Sequence, residues 1–374
     1  MHRRHAERSI LKRKLIEGVN IHMPAPRRIG KTWTITRLAE DLRETGWLVV
    51  ELDVQGLDCP KDFARELCRE ANKQISLWDA LWANIKLRFE NIGSGGITGN
   101  PMEAIAAADP VALLEKIADA LSRQAKPTAI LIDEIAFFVL ALAEKNPAEA
   151  KKFLHRLREI QHTYQQKVHW LVTGSIGLDV VAERFGLGGA FVDLERFDLA
   201  PFTEVEARSF LRDDAIQRTF NHQFTASDVD LAFLFTELGW LAPYYLKLVG
   251  NAVCPSGPLE NDVPTATRVD FEAAFNRLLS PGRKTEFAVW REHIDKNLAP
   301  SDRPTARTLL DALSQAADGE TLDTLRAKCP GMTDNRIRSV LGILESDGLV
   351  LKEADRYRFR SGLIRRYWKE YEAE

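Results

Sequence analysis

The chain has 374 residues, of which 45% are hydrophobic and 28% charged, so it is long enough for two or three domains and able to bury a core. Its 51 Lys+Arg against 54 Asp+Glu give a net charge of -3, which excludes a whole-chain field pulling it toward nucleic acid or an anionic membrane. Cys59, Cys68, Cys254 and Cys329 lack C-x-x-C spacing, so no zinc knuckle or disulfide framework is readable and the thiols are expected to be reduced.

The N-terminus, MHRRHAERSILKRKLIEG, is basic and helical in pattern, without the apolar run and cleavage site of a signal peptide. The most apolar run, AILIDEIAFFVLALA, carries Asp133 and Glu134 and falls short of the ~20 residues that span a bilayer. A cytoplasmic protein with no membrane partner is expected. Val19 to Met23 supplies a short strand, followed by PAPRRIGKT, and then Ile35, Leu38, Ala39 and Leu42 recur at helical spacing until Gly46.

A strand, a tight loop and a helix start are the context that a phosphate-binding loop of pattern G-x-x-x-x-G-K-[ST] requires. Ala25 replaces the first glycine, adding one methyl and removing no donor. The candidate nucleotide-binding residues are Ala25, Pro26, Arg27, Arg28, Ile29, Gly30, Lys31 and Thr32. Backbone N–H groups of the loop and helix start would face the phosphates, Lys31 would reach the β- and γ-phosphates, and the Thr32 hydroxyl would bind Mg²⁺. The alternative is a basic turn that caps a helix.

Residues 47–53 read as a second strand, and helices are expected over 61–75, 110–123 and 148–165. Between the first two lies NIGSGGITGNPM (91–102), preceded by Trp78 and Trp82, a surface loop or hairpin, or else a partner-docking tongue. Ala129 to Ile132 ends in Asp133-Glu134, a buried parallel strand closing in two carboxylates at the ligand edge of a sheet. Asp133 is the candidate Mg²⁺ residue, and Glu134 the catalytic one that orients or deprotonates water, with a helix N-cap role as the alternative. The strand 168–173 leads to Gly174-Ser175, where Thr173 or Ser175 would sense the γ-phosphate or Ser175 would cap a helix. Arg156, Arg158, Arg184 and Arg196 are arginine-finger candidates, or else salt-bridged surface residues. Alternating strands and helices give an α/β fold, a parallel sheet with helices on both faces.

After the break at Leu199 to Phe202, Thr203-Glu204-Val205-Glu206 has capping-box spacing, and LGWLAPYYL places Pro243 as the first residue of a helix. From about residue 303 the pattern becomes a winged helix: a helix after Pro304, one over 321–328, one from Thr333, and two strands around the turn at 353–356. Arg336 and Arg338 on the third helix and Arg356, Arg358 and Arg360 in the wing are the duplex-DNA candidates. Residues 301–374 contain 13 Lys+Arg and 13 Asp+Glu, so the module is neutral, and protein docking or autoinhibition stands beside DNA binding.

Together, PAPRRIGKT, the ILIDE strand, Thr173-Gly174-Ser175 and LGWLAPYYL resemble the archaeal-type ATPases of the AAA+/STAND group, also common in bacteria, which carry G-P-R-R-x-G-K-[ST] or a variant with alanine first. The resemblance covers nearly the whole chain. It implies a P-loop NTPase core over 1–200, an α-helical lid over 201–298 and a winged helix-turn-helix over 299–374. It implies ATP with Mg²⁺ as cofactors and Pro243 packing near the base, although Gly239 and Pro243 stand further apart than in the family. No guanine-specific N-K-x-D stretch occurs, and the N-terminal helix lacks the family's glycine-arginine signature. The expected function is a Mg²⁺-dependent ATP-hydrolysing switch that repositions the C-terminal module toward DNA, a protein partner or a second copy. The alternative is a DNA-associated regulator that binds ATP without turnover, in a bacterial conflict or defence setting.

Overall fold

The apolar runs of the first half become strands that pair side by side. A computed structural model of the chain describes residues 3–75, 109–175, 178–283 and 298–373, together with 287, 290, 291 and 294. The 91–102 stretch, Trp78 and Trp82 lie outside the described residues. The chain divides into two compact units, one made of Ala6–Ala25 and Lys31–Leu199, the other of the N-terminal tip through His5, the segment Pro26–Gly30 and everything from Ala200 on.

The first unit is built on β1 (Ile21–Pro24), β2 (Leu48–Asp53), β3 (Thr128–Asp133), β4 (Val168–Gly174) and β5 (Glu195–Arg196), in the order β2-β3-β4-β1-β5 with every pair parallel. Asn20, just before β1, ties that strand to its neighbours β4 and β5, accepting the Trp170 N–H on its side chain at 2.9 Å and the Glu195 N–H on its carbonyl at 2.8 Å. Pro24 thereby lies beside Gly174, and Asp53 beside Asp133. The carboxyl ends of the strands form one edge, where open α/β sheets take their ligands.

Strand alternation sends Val50, Leu52, Ile130, Ile132, Trp170 and Val172 to one face, where they pack with α3 (Pro60–Gln74), α4 (Pro110–Ser122), α5 (Ile135–Lys145), α6 (Pro147–Thr163) and α7 (Leu178–Phe185). The rings of Phe63, Phe138 and Phe153 meet pairwise at 4.9–5.8 Å in this core. The other face is covered by α2 (Lys31–Glu44), which buries Ile35, Leu38, Ala39 and Leu42, the residues its sequence period selects. Helix α1 (His5–Ile16) is tied to α2 by Arg8 and Asp41 at 2.9 Å and by Lys12 on the Asp41 carbonyl.

The second unit opens with α8 (Glu204–Leu211), whose Thr203/Glu206 capping box forms as its spacing predicts. It continues through α9 (Asp214–Gln217), α10 (Asp228–Leu238), α11 (Pro243–Ala252), a hairpin of β6 (Leu259–Glu260) and β7 (Val263–Pro264), and α12 (Arg268–Leu278). Gly239 ends α10 with φ +66°, a cap that favours glycine, and Pro243 occupies the first turn of α11.

The chain ends in α13 (Arg303–Gln315), β8 (Glu320–Thr321), α14 (Leu322–Lys328), α15 (Asp334–Ser346), β9 (Val350–Glu353), β10 (Arg356–Phe359) and α16 (Gly362–Tyr371). Strands pair antiparallel in the order β8-β10-β9. Helix, strand, two helices and a hairpin follow one another in the order the sequence pattern leads one to expect. No helix among the described residues is long and apolar enough to cross a membrane.

Candidate nucleotide site

β1 delivers the chain to the ligand edge of the sheet, where the Ala25 N–H donates to the Gly174 carbonyl at 3.4 Å. Ala25 is buried, so its methyl is accommodated where the usual motif has glycine. Lys31 opens α2, and its buried Nζ donates to the Ala25 carbonyl at 2.7 Å, closing the two ends of the loop. Thr32 follows, and its Oγ1 donates to Asp133 Oδ2 at 2.7 Å. The other Asp133 oxygen, Oδ1, accepts the Thr173 hydroxyl and the Glu134 N–H at 3.1 Å. Three chain segments distant in sequence thus place a hydroxyl, a carboxylate and a second hydroxyl together.

Glu134 lies at the N-cap position of α5 with φ +60°, a left-handed conformation that costs an L-residue about 1–2 kcal/mol. It caps nothing with its side chain. Its Oε2 instead accepts the Ser175 N–H at 2.9 Å and the Ser175 Oγ at 2.7 Å. Each of the two polar residues at the end of β4 therefore engages a different carboxylate, Thr173 on Asp133 and Ser175 on Glu134.

The middle of the loop belongs to the second unit. Pro26, Arg27 and Arg28 are half-buried there, and Ile29 is buried. Arg28 takes φ +71°, and its guanidinium lies 3.7 Å over the Tyr244 ring centroid. The Ile29 carbonyl accepts Arg4 Nη2 at 3.0 Å, and Arg4, fully buried, also lies 4.9 Å over the Phe202 ring. Gly30 has φ +96°, and a Cβ there would sit 3.8 Å from Pro243 Cγ. Pro243 is thus both the first residue of α11 and a neighbour of the loop. Pro26 meets the C-terminal module at Gly348, where an added Cβ would come within 2.6 Å of its own Cβ. Arg4 escapes sequence reasoning because nothing in its basic surroundings marks one arginine as buried.

The finger candidates are engaged within their own unit: Arg156 with Glu159, Arg158 with Asp193, Arg184 with Glu144 at 3.5 Å, and Arg196 with Asp179 at 2.6 Å and Asp198 at 2.9 Å. Most of the duplex-DNA candidates of the C-terminal module already have partners within their own unit. Arg336 pairs with Asp302 at 2.5 Å and bonds Ser301, and Arg358 makes a two-pronged pair with Glu353 at 2.8 and 2.9 Å. Arg356 donates to the Gly319 carbonyl, while Arg360 lies over the Trp240 ring, where desolvation lowers its pKa. Arg338 is exposed on α15.

Beside the site, His22 on β1 is buried, and desolvation lowers its pKa to about 4. Asp179 opposes that shift, Arg196 adds to it and Asp198 opposes it. A lone histidine in an apolar strand carries no sequence signal for this.

Residues 22–181 match the family model of the AAA domain. Among solved structures, the Walker-type ATPase of Pyrococcus abyssi is 15% identical, with 98% of this chain and 95% of that one covered at a TM-score of 0.61. The ORC2 protein of Aeropyrum pernix, solved as ADPNP–ADP complexes, is 12% identical, with 96% and 89% covered at a TM-score of 0.53. No curated protein matches the chain in sequence. The fold is the α/β fold of the P-loop NTPases, and residues 22–181 are similar to the AAA domain.

Proposed function

We propose that the protein is a Mg²⁺-dependent ATPase of the archaeal-type AAA+/STAND group, a switch with its core over 1–200, its lid over 201–298 and its winged helix over 299–374. Nucleotide state repositions the C-terminal module. The observation that carries this reading is the meeting of Thr32, Asp133 and Thr173 at the start of the loop helix, with Glu134 alongside.

Thr32 and Asp133 are hard oxygen donors already drawn to 2.7 Å of one another, a set that suits Mg²⁺. A magnesium ion held by them supplies positive charge against the phosphates. Ala25 to Thr32 bind the phosphate chain through backbone N–H groups, and Lys31 exchanges its bond to the Ala25 carbonyl for the β- and γ-phosphate oxygens. Glu134 accepts a proton from, or orients, the attacking water, with Ser175 fixing its carboxylate. Pro243, beside Gly30, closes the nucleotide side of the lid. Catalysis of this kind is positioning and charge compensation, so a missing cation supplied by a second copy or a partner would leave the isolated chain slow.

The alternative of a cytoplasmic DNA-associated regulator that holds ATP without turnover is the weaker reading. Two of its five candidate arginines, Arg336 and Arg358, already have carboxylate partners.

Steady-state ATP hydrolysis, with and without duplex DNA, tests both. Turnover lost in Lys31→Ala and in Glu134→Gln is expected. ATP binding without turnover, or turnover indifferent to Glu134→Gln, overturns the hydrolase reading.

A further inference from the structure

We propose that Tyr244 is a positioning residue of the phosphate loop, holding its shape through Arg28 and so setting how long a nucleoside triphosphate stays bound. This rests on the nucleotide reading above. Arg28 has φ +71° without being glycine or asparagine, so its conformation is one that surrounding contacts must hold. Among the described residues it has no carboxylate partner. Its contact is the face of Tyr244, 3.7 Å from the ring centroid and well inside the ~6 Å reach of a cation–π pair.

The ring is itself braced. Tyr244 meets Tyr245 edge-on at 5.3 Å, fully buried Tyr245 packs against Trp240 at 5.5 Å, and Arg360 of the C-terminal module lies over Trp240 at 5.4 Å. Pro243, one residue earlier in α11, lies beside Gly30, the loop's other left-handed residue described above. Two consecutive residues of α11 therefore lie beside two positive-φ positions of one loop. Left-handed residues set among right-handed ones turn successive N–H groups to one side and make an anion cradle. Without the ring, Arg28 is free to relax to negative φ, and the N–H groups lose their common aim.

The test is release of a methylanthraniloyl ATP analogue from the full chain, followed by stopped-flow fluorescence. Tyr244→Ala is expected to speed release roughly 5- to 30-fold, the range of a partly desolvated cation–π contact, and Tyr244→Phe to stay within about 2-fold. Tyr244→Leu keeps the bulk without the π face, so release as fast as in the alanine variant shows that the ring matters and not the volume. In an Arg28→Gly background, Tyr244→Ala is expected to add nothing.

Wild-type release in Tyr244→Ala or Tyr244→Leu, fast release in Tyr244→Phe, or additive effects in the double variant would overturn the inference. An analogue that binds wild type and is lost in Lys31→Ala, yet is indifferent to Tyr244, refutes this inference alone. Failure of wild type to bind refutes the nucleotide reading and this inference with it.

Discussion

Ser175 gives both its backbone N–H and its hydroxyl to a single oxygen of Glu134, at 2.9 and 2.7 Å. A carboxylate gripped twice through one oxygen has its plane fixed, and the left-handed backbone at Glu134 fixes where it starts. Ser175→Ala removes one of the two donors and is expected to lower kcat roughly 10-fold, the worth of a hydrogen bond to a charged group. The dissociation constant for ATP should stay within about 2-fold. Glu134→Gln should lower kcat on the order of 100-fold or more. If Ser175→Ala weakened ATP binding as much as turnover, the hydroxyl would belong to a phosphate contact instead.

Thr32 meets Asp133 through its hydroxyl, so Thr32→Val keeps the shape of the side chain and deletes the donor. Turnover at low Mg²⁺ is expected to fall at least about 10-fold and to recover partly as Mg²⁺ is raised, and chelation by EDTA should abolish wild-type turnover. A Mg²⁺ titration curve identical to wild type would remove Thr32 from the metal site.

His22 makes stability depend on pH in a definite direction. In the unfolded chain it titrates near 6.5, and in the folded chain burial brings it to about 4. Between these values the unfolded state binds more protons. The contribution is therefore complete above pH 6.5 and is lost as the pH falls toward 4, amounting to about 3 kcal/mol as an order of magnitude. His169, lowered by burial as well, acts in the same direction. Urea midpoints measured from pH 7 down to 4.5 should fall, and less steeply in His22→Leu. Parallel curves for the two proteins would locate the acid sensitivity elsewhere.

The wing turn stores a small strain. Glu353 pairs with Arg356 across the hairpin, leaving Ala354 and Asp355 as its two-residue loop, with Ala354 at φ +52°. Ala354→Gly removes the Cβ penalty and is expected to stabilise the protein by about 0.5–1 kcal/mol, read as a rise in urea midpoint with unchanged slope. A fall in the midpoint would mean that Ala354 has packing worth more than the strain.

The strand–loop–helix context of PAPRRIGKT, the ILIDE strand and the element order of residues 303–371 were legible because each is written locally, in a period of two or 3.6 or in a fixed motif spacing. Strand β5 was not, since Glu195–Arg196 is two exposed charged residues that become a strand through main-chain pairing to β1. The pairing of Arg336 with Asp302 and of Arg158 with Asp193 was equally hidden, because their partners lie 34 and 35 residues away. Position 28 was readable as a loop residue, but its left-handed backbone and its seat on Tyr244, 216 residues later in the numbering, are products of the tertiary fold.

The chain crosses between its two units four times, after residues 5, 25, 30 and 199, and the two middle crossings bracket Pro26–Gly30. A fragment ending near residue 200 would contain every residue of the P-loop motif yet lack Tyr244, Pro243 and Gly348, which lie against Arg28, Gly30 and Pro26. Low activity in such an N-terminal fragment would therefore report on its missing scaffold as well as on its chemistry.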